Sequence, residues 1–235
     1  MGATGPRRQE VLATLAYPRG RYPVERAAQL SGIPRSTLYD WRREGIYDPD
    51  FPNASPVAWS YRDLVFLRPL AWLRQTRWTR PDAAAAVAEV RRRASAGEQL
   101  RYIRADSTAL VIGSKPFGLE PSLLPFDDVM SLFARFDLPK PVEELRKGLA
   151  GRLWAPNLVE PSTHTAISPE VLAGEPCVVR TRIPTSTVAA LATDRGLSAP
   201  DIVRLYPDLT IETAEDALLL ERRLRGHDLP QIQAA

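Results

Sequence analysis

The side chains best equipped for chemistry fall within one short stretch: Arg35, Ser36, Thr37, Tyr39, Arg42 and Arg43, interleaved with Leu38 and Trp41. On a helix, that spacing turns the two large apolar side chains to one side and leaves hydroxyls and guanidiniums on the other. Guanidiniums grip phosphate or a guanine edge bidentately, and Ser, Thr or Tyr hydroxyls meet base edges or phosphate oxygens. The chemistry on offer is recognition of a polyanion. A surface hairpin whose charges are merely solvated carries the same pattern, so the charge distribution has to be weighed with it. Residues 1–95 hold 16 arginines against 9 acidic residues, whereas the whole chain of 235 residues has a net charge of only +3. The N-terminal part is therefore strongly basic and the remainder acidic, the asymmetry of a chain with an anionic partner at one end. A general bias toward arginine is the competing explanation, since Lys115, Lys140 and Lys147 are the only lysines.

No bond-making constellation competes with this face. The sequence has no G-x-S-x-G, no glycine-rich phosphate loop and no pair of histidines at metal-ligand spacing. A lone cysteine, Cys177, excludes an internal disulfide; in its apolar run it reads as a buried, inert thiol. His164 and His227 are too few for a histidine-rich metal centre, and His164, in a Pro/Thr-rich stretch, is expected at the surface. Asp127-Asp128 reads as a helix start. The expectation is a protein that is not an enzyme, with no cofactor and no metal. No apolar run reaches the ~18 residues of a membrane span, and the N-terminus lacks the apolar block of a secretory signal, so a soluble cytoplasmic protein is expected.

The elements around the arginine-bearing helix read as a helix-turn-helix. Val24 to Leu30 predicts a short helix, with Ala27 and Ala28 small enough for close approach of a second one. Gly32 supplies the left-handed turn, Ile33 plugs it, and Pro34 opens the next helix. Gly45-Ile46-Tyr47, a polar loop to Pro56 and Val57-Ala58-Trp59 read as a small wing. Ser60-Tyr61-Arg62-Asp63 is a capping box for a helix carrying Leu64, Leu67, Leu70, Ala71 and Leu73, which Pro69 should kink. Arg62 joins the expected anion contacts. A further helix, Asp82 to Ala94, ends in Arg91-Arg92-Arg93, placed either to touch phosphate or to complement the helix dipole.

Beyond about residue 96 the pattern changes. Leu100–Arg104 and Ala109–Ile112 predict a β-hairpin and Asp127–Phe136 an amphipathic helix, making 97–137 a small α+β middle region. A Pro-rich connector, 138–165, precedes a helical region, 166–226, and a short tail, 227–235. In the helical region Pro176–Ile183 reads as extended. Helices are predicted over Ser186–Asp194, closed by Gly196, from a Ser198/Asp201 capping box to Leu205, and from Thr210 to Gly226 with an Ala214, Ala217, Leu218, Leu224 stripe. The fold expected is mainly α with small β elements, ending in a three-helix, helix-turn-helix-like bundle.

Two stretches carry family resemblances. YPVERAAQLSGIPRSTLYDW followed by SYRDLVFLRPLAWLRQ resembles the MerR-type winged helix-turn-helix, placing that module within 1–96. The family's long dimerising coiled coil is missing. The resemblance implies binding of double-stranded DNA as a dimer, and marks Arg35, Ser36, Thr37, Tyr39, Arg42, Arg43 and Arg62 as contacts. Gly174-x-Pro176, Arg180-x-Arg182-Ile183-Pro184, Arg195-Gly196-Leu197-Ser198 and Tyr206-Pro207-x-Leu209-Thr210 resemble the antitoxin-associated domain of formerly unknown function, of VapB type. Thr181 stands where that family has glycine, so any turn that glycine serves must be made differently.

Together the resemblances imply an antitoxin that silences a PIN-domain ribonuclease toxin and represses its own operon by binding promoter DNA, as a homodimer. Such nucleases gather carboxylates around a metal, which an inserted basic side chain could displace. Arg146, Lys147 and Arg152, with Trp154 as an aromatic anchor, or Arg222, Arg223 and Arg225, are the candidates. The alternatives are a MerR-like transcription regulator whose distal domain senses a ligand or binds protein, and an accessory protein of nucleic-acid processing.

Overall fold

The computed structural model describes residues 17–73, helical positions 81, 84, 85, 87, 88, 91 and 92, strands 102–105, 110–113 and 123–125, and residues 155–226. The N-terminal unit runs β1 (Tyr22–Pro23), α1 (Val24–Ser31), α2 (Arg35–Arg43), β2 (Ala58–Trp59) and α3 (Tyr61–Leu73). Gly32 adopts a left-handed φ of 75° and its amide bonds the Ala28 carbonyl at 2.9 Å, ending α1 and turning the chain within three residues. Ile33, Leu38 and Trp41 are buried, as the spacing predicts. The strand after the loop pairs antiparallel with β1, Tyr22 opposite Trp59, which ties it to the start of α1. Ser60 and Asp63 exchange the two bonds of a capping box, at 2.8 and 3.1 Å, and start α3. Leu64, Val65, Phe66 and Leu67 are all buried, so α3 is covered on every side there and forms the centre of this unit. The helix continues through Pro69 to Leu73.

A three-stranded antiparallel sheet occupies the middle region: β3 (Tyr102–Ala105) lies between β4 (Leu110–Gly113) and β5 (Leu123–Pro125). Strands β3 and β4 make the expected hairpin, Tyr102 opposite Gly113, displaced by one or two residues from the sequence reading. The third strand has no counterpart in the sequence pattern; its Leu-Leu pair is too short for an alternation to show. The helix expected at 127–136 and residues 138–154 of the connector lie outside the described residues.

The C-terminal unit comprises β6 (Thr165–Ala166), a 3-10 turn (Leu172–Gly174), β7 (Cys177–Val178), α4 (Thr185–Arg195), α5 (Ala199–Leu205) and α6 (Ile211–Gly226). Its core is Val178, Val188, Ala199, Ile202, Leu209, Ala214 and Ala217. The local signals decide its boundaries: Gly196 ends α4, and the Ser198/Asp201 box starts α5. Thr210 caps α6 reciprocally with Thr213, each amide bonding the other's hydroxyl at 3.2 and 2.9 Å. Of the region expected to be extended, Cys177–Val178 is a strand, but the remainder is a tight reversal, closed by the Val178 amide on the Ile183 carbonyl. Arg180, not the residue in the glycine position, takes the left-handed φ of 64°, and the Thr181 hydroxyl braces the turn on the Val178 carbonyl. Cys177 is buried, and burial pushes its thiol pKa up. His164 is half-buried rather than exposed, its ring 3.1 Å from Glu212.

Candidate nucleic-acid interface

Helix α2 rests on its neighbours through Leu38 and Trp41. At 100° per residue, Arg42, Arg35, Tyr39, Arg43 and Ser36 then fall within about 120° of arc on the opposite side. The side chains of Arg35 and Arg43 are 49% and 73% exposed, and Tyr39 is 46% exposed. Thr37 is half-buried and falls beside Trp41, about 100° from Ser36, so it is not part of this face. Arg35 pairs with Glu25 of α1 at 3.0 Å and Arg43 with Asp40 at 2.6 Å. Exposed pairs of this kind hold less than about 1 kcal/mol and release their cation to a phosphate readily. Arg42 donates to the Pro52 carbonyl at 3.3 Å, linking α2 to the loop before β2. That loop is closed by a bridge between Phe51 and Ala58.

Beneath the loop lies a buried charge network. Asp63 accepts from the Tyr47 hydroxyl at 2.9 Å and from the amides of Asp50 and Ser60 at 2.9 and 2.8 Å. Asp50 accepts from Arg62 Nε at 2.7 Å, from the Ser60 hydroxyl and from Arg91. Arg91 also reaches Asp63 at 3.0 Å and lies 5.1 Å over the Tyr47 ring. Two expectations are corrected here. Arg62 is not displayed for an anion: it is 12% exposed and committed to Asp50. Arg91 serves neither phosphate nor a helix end, but anchors the loop from below. Buried carboxylates demand such partners, and Asp50 and Asp63 recruit the nearest guanidiniums.

Burial, together with neighbouring Asp50, pushes the Asp63 carboxyl up to about 6 against the pull of Arg91. Asp50 is also pushed up by burial, but its bonds from Arg62 and Ser60 and the arginine charges hold it below 3.8. With a folded-state value above the ordinary 3.8, Asp63 takes up a proton on folding between about pH 6 and pH 4. Its contribution to stability is present at low pH and lost as the pH rises through 6. Asp50 contributes in the opposite sense, and only below that window. Urea denaturation should therefore show stability rising from pH 7 to pH 5 by roughly 1 kcal/mol, with Asp63→Asn flattening the rise. Equal slopes in both proteins would contradict the assignment.

Arg222, Arg223 and Arg225 are exposed along the last turns of α6, while Arg146, Lys147, Arg152 and Trp154 lie outside the described residues. Among the described residues no group of three His, Cys, Asp or Glu side chains could hold a metal ion, and no helix is long and apolar enough to cross a membrane.

Sequence reasoning missed the contact between the two units. Arg26 of α1 is buried against Glu175 and Glu221, at 2.6 and 2.7 Å. A signal was present: Glu221 continues the Ala214, Ala217, Leu224 stripe of α6, and a carboxylate at a core position implies a buried cation. The partner could not be named, since 195 positions separate it from Arg26.

Comparison with known families addresses only this second unit. Residues 166–219 match the family model DUF433, described as a protein of unknown function. The match runs from β6 into α6 and contains Glu175 but not Glu221. No curated protein and no solved structure matches the chain.

Proposed function

We propose that the chain is a DNA-binding antitoxin: a homodimeric autorepressor that holds promoter DNA with α2 and silences a PIN-domain ribonuclease with its distal half. The observation that carries the DNA-binding half is the exposed face of Arg35, Ser36, Tyr39, Arg42 and Arg43, with Leu38 and Trp41 turned inward and only weak exposed bonds, to Glu25 and the Pro52 carbonyl, holding its arginines to other elements. Loop 48–57 stands beside it as the wing, braced by Asp50, Asp63 and Arg91. Thr37, half-buried beside Trp41, is left out of the proposed contact, and Arg62 acts only through the wing. The resemblance to MerR-type modules supports the same placement. The antitoxin half is supported by the motifs shared with antitoxin-associated domains and by the DUF433 match. Arg222, Arg223 and Arg225 are the described candidates for the toxin's acidic centre.

Co-expression with the neighbouring reading frame and recovery of a stable complex that lacks ribonuclease activity tests the antitoxin half. Salt titration tests the DNA half. With several phosphates neutralised per subunit, log affinity for a duplex falls steeply against log salt, with a slope near −0.9 per phosphate. A flat response, or no binding at low salt, would remove it. A second reading, a MerR-like regulator whose distal domain senses a ligand, is favoured by one observation: Arg26 joins the two units through buried charge.

A further inference from the structure

We infer that Glu221, on the last helix of the C-terminal unit, is a positioning residue for the α2 face, acting through Arg26 and α1. The two carboxylate oxygens of Glu221 take both terminal nitrogens of Arg26, at 2.7 and 3.1 Å, in the bidentate geometry that fixes direction as well as distance. Thr185 of α4 donates to the same carboxylate at 2.5 Å, so Glu221 is itself held in place. Glu175 takes the other edge of Arg26, at 2.6 and 3.3 Å. One guanidinium is thus gripped by two elements of the distal unit. Arg26 and Glu221 are 7% and 3% exposed, so water cannot substitute for either partner.

The N-terminal end of α1 is tied down as well. The Arg21 amide bonds the Ala173 carbonyl at 2.8 Å, and the Tyr22 hydroxyl bonds the Gly174 carbonyl at 2.9 Å. Both acceptors belong to a turn in which Leu172, Ala173 and Gly174 all have positive φ, of 46°, 56° and 89°. Consecutive left-handed residues persist only where their surroundings hold them, and here the held surface is the one that receives α1.

From α1 the constraint passes to α2 by two short routes. One is the Gly32 turn, where the Ile33 amide bonds the Ser31 hydroxyl at 3.3 Å. The other is the pair between Glu25, the residue before Arg26, and Arg35 on the exposed face. The orientation of the arginine-bearing face is therefore set by the distal unit and not by the N-terminal unit alone.

Glu221→Gln in the full chain tests this, with Thr185→Val as a milder variant that weakens the same carboxylate. Hydrogen exchange is the first readout. Amides over 24–43 should exchange at least tenfold faster, with those of the distal core, around Val188 and Ile202, changed less than twofold. Unchanged exchange over 24–43, or equal acceleration of both regions in both variants, overturns the inference. The second readout rests on the DNA-binding reading. For a duplex selected from a random pool by the unmodified chain, affinity should fall about tenfold, while affinity for unselected duplex and its salt slope stay within twofold. Equal losses on both duplexes, or none, overturn the positioning role. If the unmodified chain selects no duplex, it is the DNA-binding reading that fails, and hydrogen exchange still decides the coupling.

Discussion

Gly174→Ala should destabilise the folded chain by roughly 3 kcal/mol or more, combining overpacking with left-handed strain. Gly174 has a φ of 89°, and an added Cβ would overlap the hydroxyl of Tyr22 and approach its ring carbon Cζ to 2.7 Å. Tyr22 cannot give way: it is 1% exposed, paired with Trp59 across the β1–β2 ladder and bonded to the very carbonyl of Gly174. The collision must therefore be relieved by separating the two units or by breaking the strained turn. Urea denaturation followed by tryptophan fluorescence measures the loss. Tyr22→Phe in the same chain removes the nearest atom but not the ring, so it should restore only a minor part. A loss below about 1 kcal/mol, small for a core overpacking, would mean that α1 does not rest on this turn.

The largest functional effect is expected on α2. Arg42→Ala with Arg43→Ala should weaken binding to duplex DNA by roughly 10- to 100-fold at moderate salt and reduce the magnitude of the salt slope by about two, one for each lost phosphate contact. The weak partners that these arginines have in the free chain, the Pro52 carbonyl and Asp40, oppose the transfer little. Tyr39→Ala should leave the slope nearly unchanged and lower discrimination between duplexes, because a phenol meets base edges or sugar without neutralising charge. Arg62→Ala is the informative contrast. Committed to Asp50, it should act on the stability of the wing rather than on the slope. An unchanged slope in the double variant would place the polyanion elsewhere.

How much of this is legible in the sequence follows the range of the interactions. Gly32, the Ser60/Asp63 and Ser198/Asp201 boxes, Gly196 and the Leu38/Trp41 spacing were all readable, because each signal and its consequence lie within four residues. Arg62 and Arg91 misled, since formal charge says nothing of whether a carboxylate such as Asp50, twelve and forty-one positions away, will claim it. The face of α2 was legible as a surface; the burial of Arg26 on the neighbouring helix was not. Its partners are separated from it by 149 and 195 positions, and only the misplaced carboxylate in the α6 stripe hinted at them. Arg180 is a different case: its left-handed conformation is imposed by the reversal between β7 and α4, and no local propensity announces it.

The chain passes from the first unit to the second between Leu73 and Ala155, yet the bonds that register them run elsewhere: Tyr61 to the Leu158 carbonyl, Arg68 to the Pro156 carbonyl, and Arg26 to Glu175 and Glu221. Their mutual placement is thus written chiefly in side chains far apart in sequence, joined by the Arg21 amide on the Ala173 carbonyl. A shuffled gene that borrowed either end without its matching acid or base would inherit a bare charge at the seam.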